Sequence, residues 1–109
     1  ELSLQETLKN LKRITQQMTA NTCYICTPCP VDENAMDSNN VLRTNAKLKQ
    51  LSLMIHDAFP NHVVIDLFSV FETDNQLPQK FHTGDGLHLN DVGYEIYYRT
   101  LKSYMDGEK

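Results

Sequence analysis

His62-Val63-Val64-Ile65-Asp66-Leu67 is the stretch on which the fold turns. Its apolar centre is continuous and does not alternate with polar residues. A strand of that kind is covered on both faces, as the strands of parallel sheets are. Just before it, Leu48, Leu51, Ile55 and Ala58 recur at helical spacing with Met54 alongside, and Pro60-Asn61 closes the pattern. The spacing predicts a helix over 41–59. Further upstream, Thr22-Cys23-Tyr24-Ile25-Cys26-Thr27 is a second run of strand formers, stopped by Pro28 and Pro30. Strand, helix, strand with a connection this long predicts a parallel pair joined by a right-handed crossover.

The flanks extend the pattern. Leu4, Leu8, Leu11, Ile14 and Met18 predict an amphipathic surface helix with one buried stripe. Residues 31–41 are polar and acidic, with Asp32, Glu33 and Asp37, and read as a solvated loop. Residues 68–84 read as loop with one helical turn near Phe68 to Phe71. Asn90 or Asp91 can cap a last helix. That helix carries Tyr94, Tyr97, Tyr98, Leu101, Tyr104 and Met105 at three- and four-residue spacing, which predicts packing against the sheet. The order is helix, strand, helix, strand, loop, helix, and the fold class is α/β. Two parallel strands do not make a stable sheet, because both edges stay open and parallel sheets are buried. The expectation is that these residues are part of a larger sheet, completed by an amino-terminal part of the same fold or by a second chain, a homo-oligomer included.

Composition narrows the function. The chain has 109 residues and a formal net charge of −4, enough for one domain over 1–109. An acidic balance argues against nucleic acid and against an anionic membrane surface. The longest apolar run, Cys23 to Cys26, is far below the roughly 18 residues of a membrane span. No basic stub followed by an apolar core opens the sequence, so no signal peptide is expected at Glu1. Three cysteines within seven residues form a poor disulfide framework and fit a reducing, cytoplasmic setting.

The chemistry-bearing segment is Thr83-Gly84-Asp85-Gly86-Leu87-His88-Leu89-Asn90-Asp91-Val92-Gly93-Tyr94. Asp85 and His88 stand three apart, after a loop and before a helix. In a turn, the Asp85 carboxylate can curl back to one imidazole nitrogen of His88, fixing the tautomer, while the other nitrogen faces outward as a general base. Gly84 and Gly86 relieve the backbone on either side. The loop leaves the second strand at its carboxyl end, where open α/β sheets build their sites. The plain alternative is a pair that only caps or tethers the helix start.

Asp85 to Tyr94 closely resembles the last sequence block of the SGNH, or GDSL-type, lipase and esterase family, Asp-x-x-His-Leu-Asn-x-x-Gly-Tyr. Cys26-Thr27-Pro28 resembles the family's strand ending in Thr-Pro, Asn45 to Phe59 its helix with an early Asn, and Val63 to Leu67 its final strand. The resemblance implies a serine ester hydrolase with a flavodoxin-like three-layer sandwich of about five parallel strands. It implies that Asp85 orients His88 and that His88 activates a serine, with no cofactor and no metal. The family's nucleophile block is absent. The serines are Ser3, Ser38, Ser52, Ser69 and Ser103, none in a Gly-Asp-Ser context, and the middle blocks of the oxyanion hole have no counterpart. The resemblance is therefore to the carboxyl-terminal part of the fold, catalytically incomplete by itself, and leaves the ester's acyl group open. The rival reading is a non-catalytic interaction module that completes its sheet with another chain.

Two metal patterns compete for the same residues. Cys23-x-x-Cys26-x-x-Cys29 could supply three thiolates, but residues three apart on a strand face opposite sides, and buried core thiols explain them better. His82-x-x-Asp85-x-x-His88 could supply two imidazoles and a carboxylate. The hydrolase reading explains Asp85 and His88 with more of their context and leaves His82 as a loop residue near the site.

Overall fold

The structure, a computed structural model, describes residues 3–17, 23–36 and 44–107. Helix α1 (Leu4–Gln17), strand β1 (Tyr24–Cys26), helix α2 (Asn45–Ala58), strand β2 (Val63–Ile65), the short helix α3 (Leu67–Phe71) and helix α4 (Asp91–Met105) follow one another in the expected order. The two strands pair in parallel, with Ile25 opposite Val64 and Cys26 opposite Ile65. The fold is α/β.

The continuous apolar run of β2 has a direct explanation. Val64 packs on one side against a cluster of Cys23, Ile25, Leu51, Ile55 and Phe59, which α1 and α2 cover. Ile65 is fully buried on the other side with Leu67, Phe71, Leu77 and Leu89, against Ile96, Tyr97, Leu101 and Tyr104 of α4. Successive strand residues point to opposite faces, so helices on both faces require an unbroken hydrophobic run. Burying a side chain such as Ile65 contributes about 2 kcal/mol.

β1 is covered differently. Ile25 is buried, but Tyr24 and Cys26 on its other face are exposed. Among the described residues neither strand has a second neighbour. Helix α4 repeats this incompleteness. Tyr97, Leu101 and Tyr104 pack inward, whereas Tyr94, Tyr98 and Met105 are exposed by 55%, 65% and 58%. At about 100° per residue these form a second apolar stripe, roughly a quarter turn from the first. The expectation that all six residues pack on the sheet is thus corrected for three of them: two strands are too few to reach the second stripe. In α1 the stripe Leu4, Leu8 and Leu11 is only partly buried and Ile14 is 52% exposed, while Met18 lies outside the described residues.

Local chemistry sets the element ends. The Ser3 hydroxyl accepts from the Glu6 N–H at 3.1 Å and opens α1. Thr44 caps α2 through the Lys47 N–H at 3.3 Å, and residues 41–43, the start expected for this helix, lie outside the described residues. Asp66 caps α3, accepting from the backbone and hydroxyl of Ser69 at 3.1 and 2.8 Å. Burial works to raise the Asp66 pKa, but the two Ser69 bonds and nearby His56 together bring it below its usual value. The segment 68–84 is more ordered than a loop: Asp74 and Asn75 take positive φ in a tight turn between Thr73 and Gln76, and Gln79–Phe81 is a 3-10 turn. No helix among the described residues is long and apolar enough to cross a membrane.

Candidate active site

The loop carrying Asp85 and His88 is pinned at its base. His82 and Leu89 form an antiparallel bridge, and the Thr83 N–H donates to the His88 carbonyl at 3.0 Å. Asn90 holds the exit. Its amide nitrogen donates to the carbonyls of Lys80 and His82 at 3.0 and 3.1 Å, and its oxygen accepts from the Gly93 N–H at 2.9 Å, capping α4. Of the two capping candidates it is therefore Asn90 that serves. Gly93 must stay small there, since a Cβ would lie 2.5 Å from the Phe81 carbonyl oxygen.

Within this frame Asp85 and His88 meet. Asp85 Oδ1 accepts from the backbone N–H groups of Leu87 and His88 at 2.8 and 2.9 Å, and Oδ2 lies 2.5 Å from His88 Nδ1. The bond from the His88 ring, then the two backbone bonds, hold the Asp85 carboxyl well below the usual carboxylate range. An ionised carboxylate only accepts, so His88 Nδ1 carries a proton, and in the neutral ring Nε2 then keeps its lone pair. No described residue bonds that Nε2, and the His88 side chain is 74% exposed. The pair can take a proton from a hydroxyl brought to Nε2 and stabilise the resulting imidazolium.

A second histidine–aspartate pair lies beneath. His82 Nε2 is 2.9 Å from Asp32 Oδ2, with side chains only 3% and 9% exposed. His82 Nδ1 accepts from the N–H groups of Gly84 and Gly86 at 3.0 and 3.3 Å. Two donors aimed at Nδ1 require it to be unprotonated, so the ring's N–H is on Nε2 and donates to Asp32. The Asp32 N–H in turn donates to the Gly86 carbonyl at 3.0 Å, and a Cβ on Gly86 would lie 2.5 Å from the Asp32 carbonyl oxygen. Asp32 is thus buried and engaged, which corrects the reading of 31–41 as a solvated loop; residues 37–41 lie outside the described residues. Asn45 anchors the same segment: its side chain accepts from the Val31 N–H and donates to the Val31 carbonyl, both at 2.8 Å. Both segments follow the carboxyl ends of the strands, where α/β folds place their sites. A cavity of about 300 Å³ opens between Asp32, Asn34, Ala35 and residues 76–79, and neither Asp85 nor His88 lines it.

Comparison with known proteins follows this geometry. No protein-family model matches the chain, and no curated protein matches it. Among solved structures, a Streptococcus pneumonia protein provisionally described as a platelet activating factor superimposes with a TM-score of 0.80 at 25% identity, over 93% of this chain and 51% of its own. A protein of Bacteroides fragilis, provisionally described as an acylhydrolase, superimposes with a TM-score of 0.78 at 17% identity, over 98% and 53%. The chain spans about half the length of these structures. This fits the carboxyl-terminal part of an SGNH-type fold.

Other residues can be placed on this fold. Ser3 caps α1, the Ser52 hydroxyl donates to the Leu48 carbonyl at 2.9 Å, Ser69 is bound to Asp66, and Ser38 lies outside the described residues. Among the described residues no serine is hydrogen-bonded to His88. The cysteines divide: Cys23 is buried with α1 and α2, Cys26 is exposed, and Cys29 is half-buried on the α4 side. Burial, then Cys26, pushes the Cys29 thiol up to about 11, and burial raises Cys26 as well. Among the described residues no three His, Cys, Asp or Glu side chains are placed to hold a metal ion. His82, both of whose ring nitrogens are engaged, does not join Asp85 and His88. His62 Nδ1 accepts from the Cys23 N–H at 3.0 Å.

Proposed function

We propose that residues 1–109 are the carboxyl-terminal part of a serine ester hydrolase and supply the Asp-x-x-His half of its triad. The carrying observation is the Asp85–His88 pair, bonded through Nδ1 with Nε2 open to solvent, at the carboxyl end of a parallel sheet in an acylhydrolase-like fold. His88 Nε2 takes the proton of a serine hydroxyl supplied by the other half of the fold as the serine oxygen attacks the ester carbonyl. The imidazolium returns that proton to the leaving alcohol as the acyl-serine forms. Water attacks the acyl-serine in turn, His88 taking its proton and passing it back to the serine oxygen. Asp85 holds the ring and stabilises its charged form throughout. No cofactor is invoked, and the acyl group is left to the part of the pocket outside these residues.

The partner in this reading is the amino-terminal half. Its strand would pair with the open edge of β1, and its helix would cover Tyr24, Cys26 and the outer stripe of α4. A non-catalytic module that completes its sheet with another chain would share that edge, but gives no reason for an oriented imidazole with an open Nε2.

A fluorophosphonate probe tests the assignment. It should label a polypeptide in which this chain is joined to a Gly-Asp-Ser segment, lose that labelling with H88A, and leave the isolated chain unlabelled. Labelling of the isolated chain at one of its own serines overturns the reading. Alkylation of Cys26 tests the completion: the thiol should react in the isolated chain and be protected in the joined polypeptide.

A further inference from the structure

We propose that His82 is a positioning residue for the Asp85–His88 pair: its Nδ1 gathers the Gly84 and Gly86 amides and so holds Asp85 where its carboxylate meets the His88 ring. The inference rests on the hydrolase reading for its consequence and on hydrogen-bond geometry for its substance.

The loop amides fall into two sets. Gly84 and Gly86, the immediate neighbours of Asp85, donate to His82 Nδ1 at 3.0 and 3.3 Å. Leu87 and His88 donate to Asp85 Oδ1 at 2.8 and 2.9 Å. The first set fixes the backbone on both sides of Asp85, and the second fixes its carboxylate. Glycine has no side chain to hold a conformation, and these two sit at φ +116° and +77°, among many accessible alternatives. The buried imidazole supplies the restraint they lack. Asp32 locks the ring in the required tautomer by taking the Nε2 proton at 2.9 Å. His82 is 3% exposed and reaches no substrate-facing position, so it acts through Asp85.

A staple that only ties 31–36 to 82–89 would depend on the other ring nitrogen. Two isosteres separate the roles. Glutamine places a donor near Nε2, keeping the link to Asp32 and losing the acceptor for the glycine amides. Asparagine places an acceptor near Nδ1, keeping the amides and losing Asp32.

The test uses the longest natural polypeptide carrying these residues, a short aryl ester as substrate, and two-bond proton–nitrogen NMR of the histidine rings. Wild type should show the proton on Nδ1 of His88 and on Nε2 of His82. H82Q should lower kcat on the order of 100-fold at unchanged KM, with the His88 proton shifting toward Nε2. H82N should keep the His88 tautomer and most of kcat, while its thermal midpoint falls. If H82Q matches wild type in kcat and tautomer while H82N is the damaged variant, His82 is only a staple and the proposal is overturned. A proton on His82 Nδ1 overturns it as well. If H88N and wild type hydrolyse the ester equally, the hydrolase reading fails, and the His88 tautomer in H82Q alone still decides whether His82 positions the pair.

Discussion

Among the described residues two histidine–aspartate pairs share one loop system, and they are built for opposite ends. In His82–Asp32 both ring nitrogens are engaged and both side chains are almost completely buried. In His88–Asp85 one ring nitrogen is engaged, the other is open, and the side chains are 74% and 42% exposed. Composition is the same; surroundings differ. A buried imidazole without partners on both nitrogens carries an uncompensated polar atom, so it is satisfied and inert. An imidazole at the rim can leave one nitrogen to water, and that nitrogen is the one able to exchange protons. The comparison teaches that histidine–aspartate proximity carries no functional meaning until the second nitrogen is accounted for.

Substitution in the two pairs should separate a loss of activity alone from a loss of both activity and stability. In a catalytically complete polypeptide, D85N and H88A should each lower ester hydrolysis by about 10⁴-fold, the loss seen when a triad member fails, with the thermal midpoint nearly unchanged. H82A should cost stability as well as kcat: it leaves the Asp32 carboxylate buried and unpaired, at a cost of about 3 kcal/mol, read from the shift in a urea transition. Equal stability losses in both pairs would erase the distinction.

The glycines sharpen it at a finer scale. Gly86 has φ +77° and no room for a Cβ, whereas Gly84 has φ +116° and nothing within 4 Å. G86A should therefore destabilise by about 3 kcal/mol and G84A by about 1 kcal/mol, measured by the same denaturation. Similar values would mean that strain alone, and not the contact with the Asp32 backbone, sets the cost.

The smallest effect is the acid behaviour of Asp85. Its folded pKa is lowered chiefly by the His88 ring, then by the backbone N–H groups of His88 and Leu87. The resulting stabilisation is complete above the unfolded aspartate value of about 3.9. It is lost only as pH falls through the lower folded value. A carboxyl-carbon NMR titration should find Asp85 still ionised near pH 3, where an unperturbed aspartate would be mostly protonated. A midpoint at the ordinary aspartate value would mean that the bond to His88 does not persist in solution.

Much of this was legible in the residues. The unbroken run at Val63 to Ile65 foretold cover on both faces, and α1/α2 and α4 provide it. The three-residue spacing of Asp85 and His88, framed by glycines, foretold a turn that returns the carboxylate to the ring, and the structure brings those two side chains together. Asp32 was not legible. It stands 50 residues from His82 in a polar, acidic stretch, with the local composition of a solvated loop. The outward Tyr94, Tyr98 and Met105 were misread for a related reason: helical spacing reports that a face is apolar but not whether anything stands opposite it.

The order of elements, their period, the α/β class and the local Asp85–His88 turn follow from the sequence alone, because each depends on residues within a few positions of one another. The burial of one histidine–aspartate pair, the exposure of the other, and the uncovered faces of β1 and α4 were decided only by the tertiary structure. Those features depend on which distant segments meet, and burial, not residue identity, determines whether an imidazole is structural or open to chemistry.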